Sequence, residues 1–240
     1  MMNIREFYDL GLPIDTELGQ VDFIKVKDYP DYFFDLQNVS MSKLKVIQEY
    51  ENENKDGSLD DLIKAIKECS LFELYRTVPD LRESYFKVFT KVFEDESNWI
   101  EGINEDNFED YRQLILDMAC IKEEKINPNP EIQRAIERSR RLKSAGQDKM
   151  TFSDIFSSVI VGSGADPEKV LNWTVYQLYS IYHRISKFKS FDLTSLFATV
   201  PTEKPVDIDM WGGHVDLFEE EERHGMTRKE FDKKVGQVNG

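Results

Sequence analysis

The residues of this chain that could do metal or covalent chemistry are few, and their spacing does not suit it. Its three histidines are His183, His214 and His224. None has a second histidine three or four residues away, the spacing that sets two imidazoles on one helix face for a metal. A cation gathered across a loop by His214, Asp216, Glu219 and His224 is conceivable chemistry, but solvated loop side chains are the simpler reading. Cys69 and Cys120 each lie in an apolar stretch with helical spacing and belong to no CxxC or Cys-His pattern. They read as reduced, packed thiols. The run Gly162-Ser163-Gly164 precedes a helix start, as a phosphate loop would. No Gly-Lys-Ser/Thr follows it, however, and Asp166 at the cap would oppose an anion. A glycine closing one helix before the cap of the next explains the run.

No GxSxG elbow occurs, and the 46 acidic residues are too many for a catalytic pair to be singled out. The expectation is therefore no catalytic residue, no cofactor and no metal. An enzyme remains a third reading, because sites assembled from distant residues need no local motif. It would require a deep pocket with convergent polar groups.

Two features point to protein partners. Residues 173–182, WTVYQLYSIY, are apolar or aromatic almost all round the helix. Such a helix is either central to a core or shared with a neighbour. On the second reading Trp173, Tyr176, Tyr179 and Tyr182 are the candidate contacts, since Trp and Tyr anchor interfaces, and Trp211 in the tail joins them. The other feature is a helix over 131–143, where Arg134, Arg138, Arg140, Arg141 and Lys143 face Glu131 and Glu137, a net of +3. Its ordinary role would be a solvated face paired with the chain's own acid. Its functional role would be to steer an acidic partner, including the tail of another copy in a homo-oligomer. Arg134, Arg138 and Arg141 are the candidates. Nucleic acid ranks behind both, because the surrounding negative charge opposes it.

The elements that position these residues follow from periodicity and punctuation. Residues 1–40 read as a small β-containing segment, with turns at Gly11-Leu12-Pro13 and Leu18-Gly19-Gln20. Within it, 12–15 pair with the β-branched run 21–26, and a short aromatic helix or turn follows at Tyr32 to Leu36. From Ser42 to about residue 200 apolar stripes recur at helical spacing, which makes a multi-helix body. Ser58 with Asp61 predicts a capping box, and Asp80 predicts the next cap. Asn129-Pro130 opens the basic helix, which Gly146 ends. Phe152, Ile155, Phe156, Val159 and Ile160 form one stripe. Asp166-Pro167 then opens the longest helix, running to about Lys189. Residues 201–240 read as an irregular acidic tail ending in a short helix capped by Thr227, and 211–218 are expected to be flexible in the monomer. The fold class is α+β, mainly α.

Composition agrees with a packed interior. The chain has 240 residues, 40% hydrophobic and 12% aromatic, with 31 Lys and Arg against 46 Asp and Glu, a formal charge of −15. That charge argues against nucleic-acid or anionic-membrane binding. No run reaches the ~18 apolar residues of a membrane helix, and the N-terminus does not resemble a signal peptide. A cytoplasmic setting is expected.

Four stretches carry a family resemblance. They are GQVDFIKVKDY from Gly19, Asn127-Pro128-Asn129-Pro130, WTVYQLYSIYHRI from Trp173, and WGGHVDLFEE from Trp211. Together they resemble a group of tailed-bacteriophage morphogenesis proteins, over roughly residues 10–220. Within the group the likeness is to tail assembly chaperones and to small baseplate or tail components. It implies non-enzymatic assembly work in host bacterial cytoplasm, on a tape-measure or tail-tube partner. The alternative it implies is a structural baseplate or tail subunit retained in the virion. No catalytic residue is carried over.

Overall fold

The computed structural model describes residues 4–94, 96–123, 126–144, 150–200, 208–213, 215 and 217. The chain is mostly helical, with one two-stranded antiparallel hairpin near its start. None of the described helices is long and apolar enough to cross a membrane.

The N-terminal region holds more helix than its sequence suggests. Helix α1 (Ile4–Leu10) precedes strands β1 (Ile14–Thr16) and β2 (Gly19–Val21), and α2 (Tyr29–Val39) follows them. The hairpin exists, but it is shorter than the 12–15 with 21–26 pairing. Its register runs Ile14 to Val21, Asp15 to Gln20 and Thr16 to Gly19, and it stops there. The reason lies in burial. Val21, Phe23, Ile24 and Val26 are all buried, so the run lacks the in-out alternation of a hairpin strand with one wet face. Residues 21–27 are a stitch between distant parts of the chain. The Asp22 amide donates to the Val92 carbonyl, and the Val26 and Lys27 amides donate to the carbonyls of Trp173 and Leu171. The Val175 amide donates back to Ile24.

The helical body begins with α3 (Lys43–Glu53), whose first turn is capped by the Ser42 hydroxyl. The Ser58 capping box expected for α4 (Asp60–Glu68) does not form. Asn54 Oδ1 accepts the Leu59 amide, while Asp56 holds the Ser58 amide and hydroxyl. A Ser70–Glu73 capping box opens α5 (Leu71–Thr77). Helix α6 (Pro79–Val92) starts with Val78 at the cap and Pro79 behind it, so Asp80 lies in the first turn and does not cap. Then come α7 (Glu96–Gly102), α8 (Phe108–Met118) and α9 (Pro130–Ser144). Asn129 does cap α9, its Oδ1 accepting the Glu131 amide at 3.0 Å.

The single long helix predicted after Asp166 is two helices. Asp166 caps only α11 (Pro167–Leu171), and a Thr174–Gln177 capping box opens α12 (Val175–Ala198). The break falls at 172–174, where Thr174 is extended and the Trp173 carbonyl accepts the Val26 amide of the stitch. Before it, α10 (Phe152–Ser163) is opened by a Thr151–Asp154 capping box. It ends at Gly164, whose φ of 69° is the left-handed closure glycine allows.

Two apolar clusters hold these elements. The larger joins α1, the hairpin, α2, α3, α5, α6, α8 and the first turn of α12 around the rings of Tyr75, Tyr85, Phe89 and Phe108. Residues 1–40 contribute Ile14, Val21, Leu36 and Val39 to this same core. The smaller cluster lies between α10 and α12, built on Val26, Ile155, Val159, Val170 and Leu178.

Candidate protein-docking surfaces

The aromatic run that opens α12 divides between interior and surface. Tyr176 is 4% exposed and packs its ring 5.1 Å from that of Tyr8. It is a core residue and, contrary to its reading as a contact, offers no partner a surface. Val175 and Leu178 are buried beside it. Trp173, Tyr179 and Tyr182 are half-buried against the smaller cluster, and Tyr179 faces Phe152. The run is therefore mainly the seat that fixes α12 on the body.

What that seat positions is the far end of the same helix. Gly162, near the end of α10, lies so close to Ile185 that a Cβ there would come within 2.8 Å of its side chain. Helix α10 ends one residue later, at Ser163. Residues 186–198 run on past this contact, thirteen residues or about 20 Å of helix. Leu193, Leu196, Phe197 and Val200 follow one another at i, i+3, i+4 and i+7, and all are exposed, Leu196 at 66%. That spacing makes one apolar face. The eight residues 193–200 carry no charge in a chain of −15.

The other side of this helix holds part of the tail. Arg184 donates to the carbonyls of Trp211 at 2.8 Å and Gly213 at 2.6 Å, and the Trp211 ring stands edge-on to Phe188. Val215 is buried, and Leu217 packs on the larger cluster. The described residues of the tail thus make specific contacts with the body. The cation constellation of His214, Asp216, Glu219 and His224, the closure of α9 at Gly146 and the Thr227-capped helix all lie outside the described residues.

On α9, Arg134, Arg138 and Arg141 are exposed. The helix is held at its start, where the buried Gln133 accepts the Asn127 amide and donates to Glu137.

For chemistry, the described residues provide limited material. No group of three or more His, Cys, Asp or Glu among them is placed to hold a metal. Four Ser-x-x-Lys spacings occur, at Ser40–Lys43, Ser42–Lys45, Ser84–Lys87 and Ser186–Lys189. The first two are committed to structure: Ser40 donates to the Gln37 carbonyl, Ser42 caps α3 and Lys43 donates to the Lys67 carbonyl. A groove of about 550 Å³ runs beside α3 and the 126–128 turn, lined by Leu44, Ile47, Ile126 and Pro128. Its charged rim is tied together, Lys67 to Glu51 at 2.7 Å. Burial pushes the Cys120 thiol far above its ordinary range, with Asp117 adding to the shift, which suppresses the thiolate.

Sequence reasoning missed Arg112, the most elaborate polar site among the described residues. It is 1% exposed. Its Nε donates to the Val39 carbonyl at 2.8 Å and its Nη2 to the Met41 carbonyl at 3.2 Å, while Nη1 meets Glu109 and Glu123. The signal was available: Arg112 lies four residues after Phe108 and three before Ile115, on the apolar face of α8.

A short hairpin, a ring-filled helical core and a helix end that the other described residues leave uncovered describe a helical scaffold with an apolar projection, and the comparisons place it in a family. Residues 2–128 match the YomV N-terminal domain and residues 143–216 the YomV second domain, so the chain belongs to the YomV family. It is 40% identical over 230 residues, 95% of each chain, to the SPbeta prophage-derived uncharacterized protein YomV of Bacillus subtilis (strain 168). This relative's prophage origin agrees with the phage resemblance read from the sequence. No solved structure matches.

Proposed function

We propose that this chain is a non-enzymatic assembly protein of a phage tail, acting in the host bacterial cytoplasm. It holds a helical partner, the tape-measure or tail-tube protein, against the free end of α12. The observation that carries the reading is the exposed stripe Leu193, Leu196 and Phe197, continued by Val200 just past the helix end, on a helix that outruns its neighbour. An amphipathic partner helix would lay its own apolar face along such a stripe. The prophage origin of the relative supports the phage setting, and the acidic surface would keep a complex with an aggregation-prone partner dispersed.

The test is co-expression with the tape-measure and tube proteins of the same prophage, followed by affinity capture, with proteomics of purified virions alongside. Capture of either protein by the wild type, lost in a Leu196→Asp, Phe197→Asp variant, supports the reading. Failure to capture both overturns it. Fixed stoichiometry in virions would make the chain a retained tail or baseplate subunit.

A further inference from the structure

Helix α9 exposes both charge and apolar area: Arg134 and Arg138 share a face with Leu142. Ile132 is 47% exposed and Leu142 72%. Arg134 and Arg138, one turn apart, have no ion-pair partner among the described residues. The helix adds +3, so the remainder of the chain carries −18. A surface of the opposite kind lies elsewhere on the molecule. Residues 100–110 hold five carboxylates and no cation, Glu101, Glu105, Asp106, Glu109 and Asp110. Beside them Ile100 and Phe86 are exposed, Phe86 against the Trp99 ring. Both surfaces pair charge with apolar area, which is the composition of a specific contact and not of a merely solvated face.

The acidic corner runs into the first turn of α8, and eleven residues separate the end of that helix from α9. We propose that α9 docks on the 100–110 corner of a second copy of this chain, head to tail. Leu142 meets Phe86 and Ile100, while Arg134 and Arg138, on the same face of α9, meet Glu105 and Asp106. Two copies of charge −15 repel at long range. At physiological ionic strength a screening length of about 8 Å removes most of that repulsion and leaves the local match. A head-to-tail contact closes into a ring or extends into a filament. The proposal uses a surface distinct from the α12 stripe.

The experiment is sedimentation velocity of the full chain over a concentration series in about 0.15 M salt. The wild type is expected to self-associate, and Arg134→Glu with Arg138→Glu to weaken this by about tenfold or more. Glu105→Lys with Asp106→Lys should do the same. The fourfold variant, whose net charge equals that of the wild type, should recover most of the association. The Leu196→Asp, Phe197→Asp variant should leave it unchanged, which separates this contact from partner capture on α12. A wild type monomeric throughout, reversals without effect, or a fourfold variant that stays dissociated would each overturn the proposal. Tighter binding of α9 to vesicles of anionic lipid or to duplex DNA than to a second copy would overturn it as well. Circular dichroism of each variant separates lost contact from lost fold.

Discussion

The guanidinium of Arg112 lies 2.8 Å from the carbonyl of Val39, the last residue of α2. A helix ends with carbonyls that have no partner and with the negative end of its dipole. Arg112 reaches across from α8 to answer both. Its charge is balanced by Glu109 and Glu123, and the Tyr85 hydroxyl donates to the same Val39 carbonyl. Burial pushes the Tyr85 phenol far up, so it stays protonated and remains a donor.

Arg112→Met should therefore destabilise the fold by about 2–4 kcal/mol, since two buried carbonyls lose charged donors and two carboxylates lose their cation. Glu123→Gln should cost much less, about 1 kcal/mol, because Glu109 remains. Urea titration of the two variants checks the ranking. Equal stabilities would show that the guanidinium contributes only its stem.

The close approach of Gly162 to Ile185 makes that glycine a spacer between α10 and α12. Gly162→Val should force the two helices apart and cost roughly 1–3 kcal/mol. Hydrogen exchange should report the loss in α10 and the first half of α12, leaving α6 and α8 protected.

Replacing Leu196 and Phe197 by Asp should behave in the opposite way. Both side chains already face solvent, so stability should change by no more than about 0.5 kcal/mol per site. Partner capture should be lost. Thermal unfolding beside the pull-down tests both halves of this expectation, and a large fall in Tm would place these residues in a packed interface.

Asp117 gives a pH dependence. Burial raises its carboxyl pKa, against a Gln113 hydrogen bond that lowers it. A carboxyl whose folded pKa lies above its unfolded one binds more protons in the folded state through the window between them. Stability therefore falls as pH rises through that window. Asp117→Asn should be the more stable protein at neutral pH, and the advantage should vanish below the unfolded carboxylate range. Denaturation of both proteins at neutral and acidic pH measures this, and a wild type more stable at neutral pH would contradict it.

Much of the helical body is legible in the sequence because its signals are local. Asn129-Pro130 opens α9 as read, and Ile155 and Val159 of the 152–160 stripe are buried as its spacing requires. The misreadings share a physical cause, which is that a distant segment decides the local outcome. Val21 to Val26 looks like one arm of a hairpin, yet beyond Val21 its amides bond distant chain, Asp22 to Val92 and Val26 to Trp173. The helix after Asp166 looks continuous, yet those same bonds interrupt it at 172–174. Tyr176 reads equally well as a contact or a core residue, and only the arrival of Tyr8 decides the matter. Arg112 was passed over because a charge on an apolar stripe is usually at its edge, and nothing local announces the end of α2 above it.

The stitch also has a consequence in time. The Val175 amide bonded to the Ile24 carbonyl closes a loop of 151 residues. A ribosome adding about 5–20 residues per second needs roughly 8–30 s to span that interval. Throughout it, residues 24–27 have been made and their partner at 171–175 has not, while Val21 already has Ile14 and Asp22 gains Val92 on the way. The nascent chain carries an unpaired, β-branched run whose amides and carbonyls are open to any other strand, and crowded polysomes bring such runs together. Synthesis of residue 175 is the event that withdraws it, so this protein's yield in the cell should depend on how fast its middle is translated.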